Sequence, residues 1–469
     1  MKRILFTLSV ALSLFFGGPF VAAERTTPPN ILWLIAEDIG PDLACYGNPD
    51  ARTPNLDKLA SEGCLYRRVF STAPVCSPSR SAFCTGMWQI AIGAQHHRSH
   101  RDDNYRLPGG VRLITDRLRE AGYLAANVTQ FPQGTSFRGT GKTDWNFCTE
   151  GKPFDSNRWE DLKDHQPFYA QVNFTETHRI YHQAKENPTD PAKVTLPPYL
   201  PDHPIVRADW ALYFDSMMDL DAKAGAVLDL LEKSGLRENT IVFFFGDNGR
   251  ECGRGKCWAY EQGCHVPLII RWPALLRPGS SSNELVSLID VTATTMSFAG
   301  LPVPKEMHGR PFLGPRAEHR EYLFTARDRL DESLDRIRTV RDARWKFIRN
   351  FEPERPYCQT MAYLERTNPV YAVMRELCAS GKLTPGQAKF MAPSRSPEEL
   401  YDLQTDPFEL RNLASSPEHR ETLARLRSVL EKWIEQTNDS GRNPEDPRVL
   451  QRILDEHERK MKQSGPKPK

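Results

Sequence analysis

The chain has 469 residues, of which 39% are hydrophobic and 26% charged, and its formal net charge is +2. That length supports one large core with a smaller second domain. The near-balance of charge excludes a partner recognised by bulk charge, nucleic acid above all, so an anionic ligand must be held by a local site.

The chain opens MKRILFTLSVALSLFFGGPFVAA, in which Lys2 and Arg3 precede an apolar run from Ile4 to Phe16 and the small residues Val21-Ala22-Ala23. The run is short for a membrane span, and its order reads as a signal peptide over 1–23. Cleavage would remove two basic residues and leave the chain neutral. No other long apolar stretch follows, so the expectation is a secreted or periplasmic protein without stable membrane insertion. Ten cysteines suit an oxidising compartment. Their scatter is not that of a small disulfide scaffold. Cys252, Cys257 and Cys264 cluster, but their gaps do not match a zinc ribbon. One local disulfide or plain packing is expected there.

Asn30 to Ala36 is an apolar strand that ends in Glu37-Asp38. An amphipathic stretch from Leu113 to Ala121 leads into a strand at 123–128, and a further strand is expected at 167–174. Trp210 to Ser234 reads as a long helix that Gly235 stops. Strands follow at 240–246 and 266–271, then a helix near 291–299. Apolar runs of this kind, spaced by helices, are strands buried on both faces. They predict an α/β domain over 24–335, with a large mixed, mainly parallel sheet sandwiched by helices. After about residue 335 the texture changes. A hairpin is expected over 338–349 with its turn at Asp342-Ala343, then a short strand at 399–403 and an amphipathic helix at 417–436. These make a smaller C-terminal α+β domain with an antiparallel sheet over 336–445. Residues 446–469 read as a polar basic tail whose last part lacks order.

Two of the strands end in oxygen-bearing pairs, Glu37-Asp38 and Asp247-Asn248. Ligands of open α/β sheets gather at the carboxyl ends of strands. Carboxylates with an amide oxygen suit a hard cation such as calcium or magnesium. Taken singly, such a pair is more often a turn or a helix cap. Between them lies Cys76-Ser77-Pro78-Ser79-Arg80, followed by Ser81.

That pentapeptide resembles the maturation signature of the type I sulfatases, members of the alkaline phosphatase-like superfamily. The resemblance extends to Asn30–Asp38, to Gly246-Asp247-Asn248-Gly249 with Arg254-Gly255-Lys256, to Val266-Pro267-Leu268 and Arg271-Trp272-Pro273, and more weakly to 399–414. It implies that Cys76 is oxidised by a formylglycine-generating enzyme to formylglycine, whose hydrate attacks sulfur. It implies calcium held by Glu37, Asp38, residue 76, Asp247 and Asn248, although the family usually has Asp where this chain has Glu37. It gives Arg80 the role of supporting the hydrate and the maturation recognition, matches Lys142 to the catalytic lysine of a Gly-Lys-x-His element and Lys256 to the sulfate-binding lysine, and makes His178 the second active-site histidine. The implied activity is a sulfatase acting on a sulfated carbohydrate. Phe174-x-x-x-His178-Arg179 resembles the heparan N-sulfatases, so a sulfamate is a second possible bond.

The chemistry is coherent with those residue types. A divalent cation polarises sulfate oxygens, cationic side chains stabilise charge that builds on them, and a protonated histidine can give the departing alcohol its proton. One position departs from the family. Where the family has Gly-Lys-x-His, this chain has Gly141-Lys142-Thr143-Asp144. The base that ends the cycle is then Asp144 itself or one of His96, His97 and His100. Arg327, in the charged stretch 327–332, is either part of a solvated loop or a contact to sugar. His265 is a weaker candidate of the same kind. Gly139–Thr143 looks like part of a phosphate loop, but Ser136 stands where the first glycine belongs. The competing functions are a phosphate mono- or diester hydrolase on the same fold, and an unconverted form that only binds polysaccharide.

Overall fold

A computed structural model describes residues 28–135 and 137–463. The signal-peptide reading over 1–23 and the end of the basic tail lie outside the described residues.

Strands β1 (Asn30–Ala36), β2 (Cys64–Phe70), β3 (Leu124–Gln130), β4 (Ser156–Arg158), β5 (Phe168–Phe174), β6 (Thr240–Gly246), β7 (His265–Arg271) and β8 (Ser280–Ser287) form one sheet. Their order is β4-β3-β5-β1-β6-β7-β2-β8. Every ladder is parallel except the two made by β7. β1 shows why. Leu32 and Leu34 face one apolar cluster with the helix Pro204–Lys233, while Ile31, Trp33 and Ile35 face another with the helices Cys76–Thr85 and Leu288–Phe298. A strand whose two faces are both covered by helices must be apolar throughout. Trp33 anchors the second face. Its ring meets Phe83, Tyr169 and Phe245 edge-on at 6.2, 5.1 and 5.4 Å, and its Nε1–H donates to Thr295 Oγ1 at 3.2 Å.

A second sheet holds β9 (Leu323–Arg327), β10 (Ile337–Arg341), β11 (Trp345–Asn350) and β12 (Glu398–Asp402) in the order β12-β11-β10-β9, antiparallel throughout. The expected hairpin turn is present. Asp342 N–H donates to Trp345 O, and Asp342 Oδ1 accepts from the backbone of Arg344 and Trp345. The helix Arg420–Gln436 covers this sheet with Leu426, Leu430 and Trp433.

Three expectations change. The second sheet begins at Leu323, ahead of the expected boundary at 335, because β9 pairs back onto β10. Strands β2 and β8 were not expected. Arg67-Arg68 interrupts the apolar pattern of the first, and the second is a polar edge strand. The tail expected over 446–469 holds a helix, Pro447–Gln463. Val449, Leu450 and Ile453 give it a half-buried stripe at helical spacing. Ion pairs of Arg452 with Asp102 and of Glu445 with Arg329 dock it on the main body. Among the described residues no helix is long and apolar enough to cross a membrane.

Trp88, just after the helix Cys76–Thr85, packs against the second sheet and the helix that covers it. Its ring lies edge-on to Phe324 and Trp433, at 6.0 and 5.5 Å, and its backbone N–H donates to His308 Nδ1 at 3.2 Å. An accepting Nδ1 requires a neutral imidazole. Burial first, and Arg320 second, push His308 from 6.5 down to about 4. The unfolded chain therefore takes up this proton at a pH where the folded chain refuses it. Stability falls as pH drops through that window. The expected result is an unfolding temperature that declines from about pH 7 to about pH 5, with a shallower decline in His308→Gln. Parallel curves for the two proteins would contradict the assignment.

Candidate active site

Parallel pairing places Ala36 opposite Gly246, so Glu37-Asp38 and Asp247-Asn248 leave the sheet side by side. Asp247 N–H donates to Ala36 O at 3.0 Å, and Asp38 N–H donates to Asp247 Oδ1 at 3.1 Å. Asp38 has φ +51°, a left-handed conformation that costs a non-glycine residue and is retained where the surroundings demand it. All four side chains are buried.

Cys76 begins the helix Cys76–Thr85, every residue of which is buried. That helix is fastened to the end of β6: Ser79 Oγ donates to Asp247 O at 2.5 Å, and Arg80 Nε donates to Asp247 Oδ2 at 2.8 Å. Arg80 Nη1 donates to Asn173 Oδ1 at 2.8 Å, whereas its Nη2 is buried with no partner among the described residues. One oxygen each of Glu37 and Asp247 and the sulfur of Cys76 lie within 4.8 Å of one another. The longer side chain of Glu37 therefore still reaches the centre.

Asn248 Nδ2 donates to Asp38 Oδ1 and Gly249 O at 3.0 and 2.9 Å, which leaves its Oδ1 buried and without a hydrogen-bond partner among the described residues. A buried orphan acceptor is costly unless something else binds it. That oxygen, with the three carboxylates around it, fits a hard cation.

Two lysines neutralise the same carboxylates. Lys142 Nζ is 2.6 Å from Glu37 Oε2, and Lys256 Nζ is 2.7 Å from Asp38 Oδ2. Buried charges of this kind persist only when paired. Lys256 rides on a tight loop after β6, in which a Cβ on Gly255 would lie 2.1 Å from Arg250 O. Burial alone would raise the Asp38 carboxyl, but Lys256 and then His178 outweigh it and hold it at about 2. Burial pushes the Cys76 thiol up to about 12 against the pull of Lys142 and Lys256.

His178 follows β5. Its Nδ1 lies 2.8 Å from Arg179 O, so Nδ1 carries a proton. Its Nε2 points inward, 3.8 Å from Asp38 Oδ2. His97 also reaches residue 76. Its Nδ1 is 3.0 Å from Asp331 Oδ1, its Nε2 is buried without a partner among the described residues, and the ring lies within 4.8 Å of Cys76 Sγ and the Asp144 carboxylate. Burial lowers the His97 pKa, so the ring is neutral near pH 7. Asp144 also takes Arg101 at 2.5 Å and Arg98 at 3.7 Å.

Of the expected residues, Glu37, Asp38, Cys76, Arg80, Lys142, Asp144, His178, Asp247, Asn248, Lys256 and His97 all converge here. The other two histidines of the 96–100 run do not. His96 Nδ1 accepts from Arg329 N, and His100 stacks on Tyr105 and bonds Asp103. Arg327 is neither a solvated loop residue nor a sugar contact. It is buried, donates to Ser333 Oγ at 3.0 Å and pairs with Asp335 at 3.3 Å, because β9 carries it into the interior. His265 stacks on Phe70 and bonds Arg67 O, away from the site. Cys252, Cys257 and Cys264 are buried free thiols, which decides for packing.

Sequence reading missed Arg98, Glu251 and Tyr363. Glu251 is buried 3.7 Å from Lys256, and Tyr363 OH donates to Glu251 Oε2 at 2.9 Å. Tyr363 lies 112 residues from Glu251 in the chain, and no local pattern marks it.

The family model described as Sulfatase matches residues 29–301, and one described as N-sulphoglucosamine sulphohydrolase, C-terminal, matches residues 254–359. An ulvan-active sulfatase of Formosa agariphila is 36% identical over 478 residues, spanning 90% of this chain and 78% of its own. The human N-sulphoglucosamine sulphohydrolase is 27% identical over 465 residues, spanning 88% of this chain and 91% of its own. Two solved structures share the fold at 17% identity. A phosphonate monoester hydrolase of Agrobacterium radiobacter has a TM-score of 0.64, covering 87% of this chain and 96% of its own. A protein in complex with its substrate D-glucosamine-2-N,6-O-disulfate has a TM-score of 0.61, covering 88% and 99%.

Proposed function

The chain belongs to the sulfatase family, and we propose that it releases sulfate from a sulfated glycan, with residue 76 as formylglycine and calcium held by Glu37, Asp38, Asp247 and Asn248. The observation that carries this reading is the position of Cys76, at a helix start where four carboxylates, two lysines, an arginine and two histidines meet. Relatives named for ulvan and for N-sulphoglucosamine support a polysaccharide or amino-sugar sulfate, with a sulfamate as the finer alternative. The leader-like N-terminus supports a secreted or periplasmic location. Maturation would need a formylglycine-generating enzyme as a transient partner.

Calcium, when bound there, would polarise the sulfate and lower the pKa of an attacking hydroxyl. Formylglycine hydrate would supply that hydroxyl and a second one whose deprotonation releases sulfate. The remaining work falls to the chain's own groups. Lys142 and Lys256 are the cations at hand for the equatorial oxygens. Arg80 Nη2, unpartnered among the described residues, has N–H groups to give. His178 Nε2, on a ring whose Nδ1 is tied to a carbonyl, can hold a proton for the departing alcohol. His97 Nε2 can accept a proton beside residue 76, with Asp331 fixing the tautomer. His97 would then supply the base that the family takes from its Gly-Lys-x-His histidine, where this chain has Asp144.

Cys76→Ala is expected to abolish sulfate release and leave the circular dichroism spectrum unchanged; retained turnover would refute the mechanism. Asp38→Ala and Asp247→Ala should each lose bound calcium by elemental analysis, and unchanged metal in both would remove the ligand set. His97→Gln should lower kcat by about a hundredfold to ten-thousandfold, with KM little altered. A kcat within a factor of about two of the parent would return the base role to Asp144.

A further inference from the structure

A cavity of about 330 Å³ adjoins the reaction centre. His97 and Tyr363 belong to both. The Tyr363 ring lies 5.5 Å from Lys256 Nζ and 6.1 Å from the His178 ring, so it stands between the reaction centre and this space. The volume is within the range of small-molecule sites.

The walls carry four arginines, Arg98, Arg101, Arg366 and Arg452. Two are committed. Arg101 holds Asp144 at 2.5 Å, and Arg452, from the helix Pro447–Gln463, pairs with Asp102. The other two are less engaged. Arg98 is half exposed and pairs only at 3.7 Å with Asp144, a carboxylate that Arg101 already holds. Arg366 is exposed and makes no ion pair or side-chain hydrogen bond among the described residues. It sits three residues after Tyr363 on the helix Ala362–Thr367, so the two side chains share a face. Of the acids lining the cavity, Asp331 serves His97 and Asp102 serves Arg452, which leaves Glu456 to accept from sugar hydroxyls.

We propose that this cavity is a subsite for a second acidic group on the substrate, a carboxylate or a further sulfate, held by Arg366 with Arg98. A guanidinium fork pairs with either oxyanion through two parallel hydrogen bonds. The substrate class is then a polyanionic saccharide. The proposal rests on the sulfatase reading for the orientation of the sugar.

The test compares Arg366→Ala with the parent on three substrates: a monosulfated neutral disaccharide, the same disaccharide with a uronic acid as its second sugar, and one with a second sulfate. Arg366→Ala should raise KM about tenfold to hundredfold for whichever doubly charged substrate is recognised, with kcat and the neutral substrate unchanged. The arm that shifts identifies carboxylate or sulfate. Equal shifts on all three, or none, would overturn the subsite. Calorimetric titration of the same saccharides into Cys76→Ala, with and without Arg366→Ala, reads the subsite without turnover. A parent that releases no sulfate from any of them refutes the sulfatase reading. In that case, tighter binding of a doubly charged saccharide that depends on Arg366 still supports the subsite, and its absence overturns it.

Discussion

The parallel pairing of β1 with β6 is the constraint on which the rest depends. It sets Ala36 beside Gly246 and therefore forces Glu37, Asp38, Asp247 and Asn248 into one small volume. Three buried carboxylates at such range would repel one another and lose their hydration, at a cost of several kcal/mol per ion. Lys142, Lys256 and Arg80 offset that cost at 2.6, 2.7 and 2.8 Å. Each arrives from a different part of the chain, so the charge balance also fixes the loop after β3, the loop after β6 and the helix that starts at Cys76.

The antiparallel sheet contributes to the same centre rather than standing beside it. Asp331, between β9 and β10, holds His97, and Arg329 pairs with Glu445 just before the last helix. Arg338 on β10 bonds both Asp328 and Asp439. A buried arginine between two acids tolerates little displacement, since removing either partner leaves an uncompensated charge. The reaction centre thus inherits rigidity from a network that never touches residue 76.

Legibility followed locality. Apolar runs such as Thr240–Gly246 name their own strands, because burial on both faces leaves no other residue choice. The oxygen pairs and the cysteine pentapeptide were legible for the same reason: each is a contiguous run of side chains with one chemistry. Polar or interrupted strands were not, as β8 and the Arg67-Arg68 break in β2 show. Arg327 misled because a charged run looks solvated unless its partners are known, and Asp335 becomes a partner only through the turn between β9 and β10. Among three neighbouring histidines, only the fold selects His97, since Asp331 lies 234 residues away. Tyr363 and Arg366 carried no signal, because their role comes from where the Ala362–Thr367 helix is laid down.

The account turns on what residue 76 is in the mature protein. The direct measurement is mass spectrometry of the tryptic peptide Val69 to Arg80, from protein made in a host with the converting enzyme. The account predicts an aldehyde or its hydrate in place of the thiol. An unmodified cysteine in protein that still releases sulfate would contradict it.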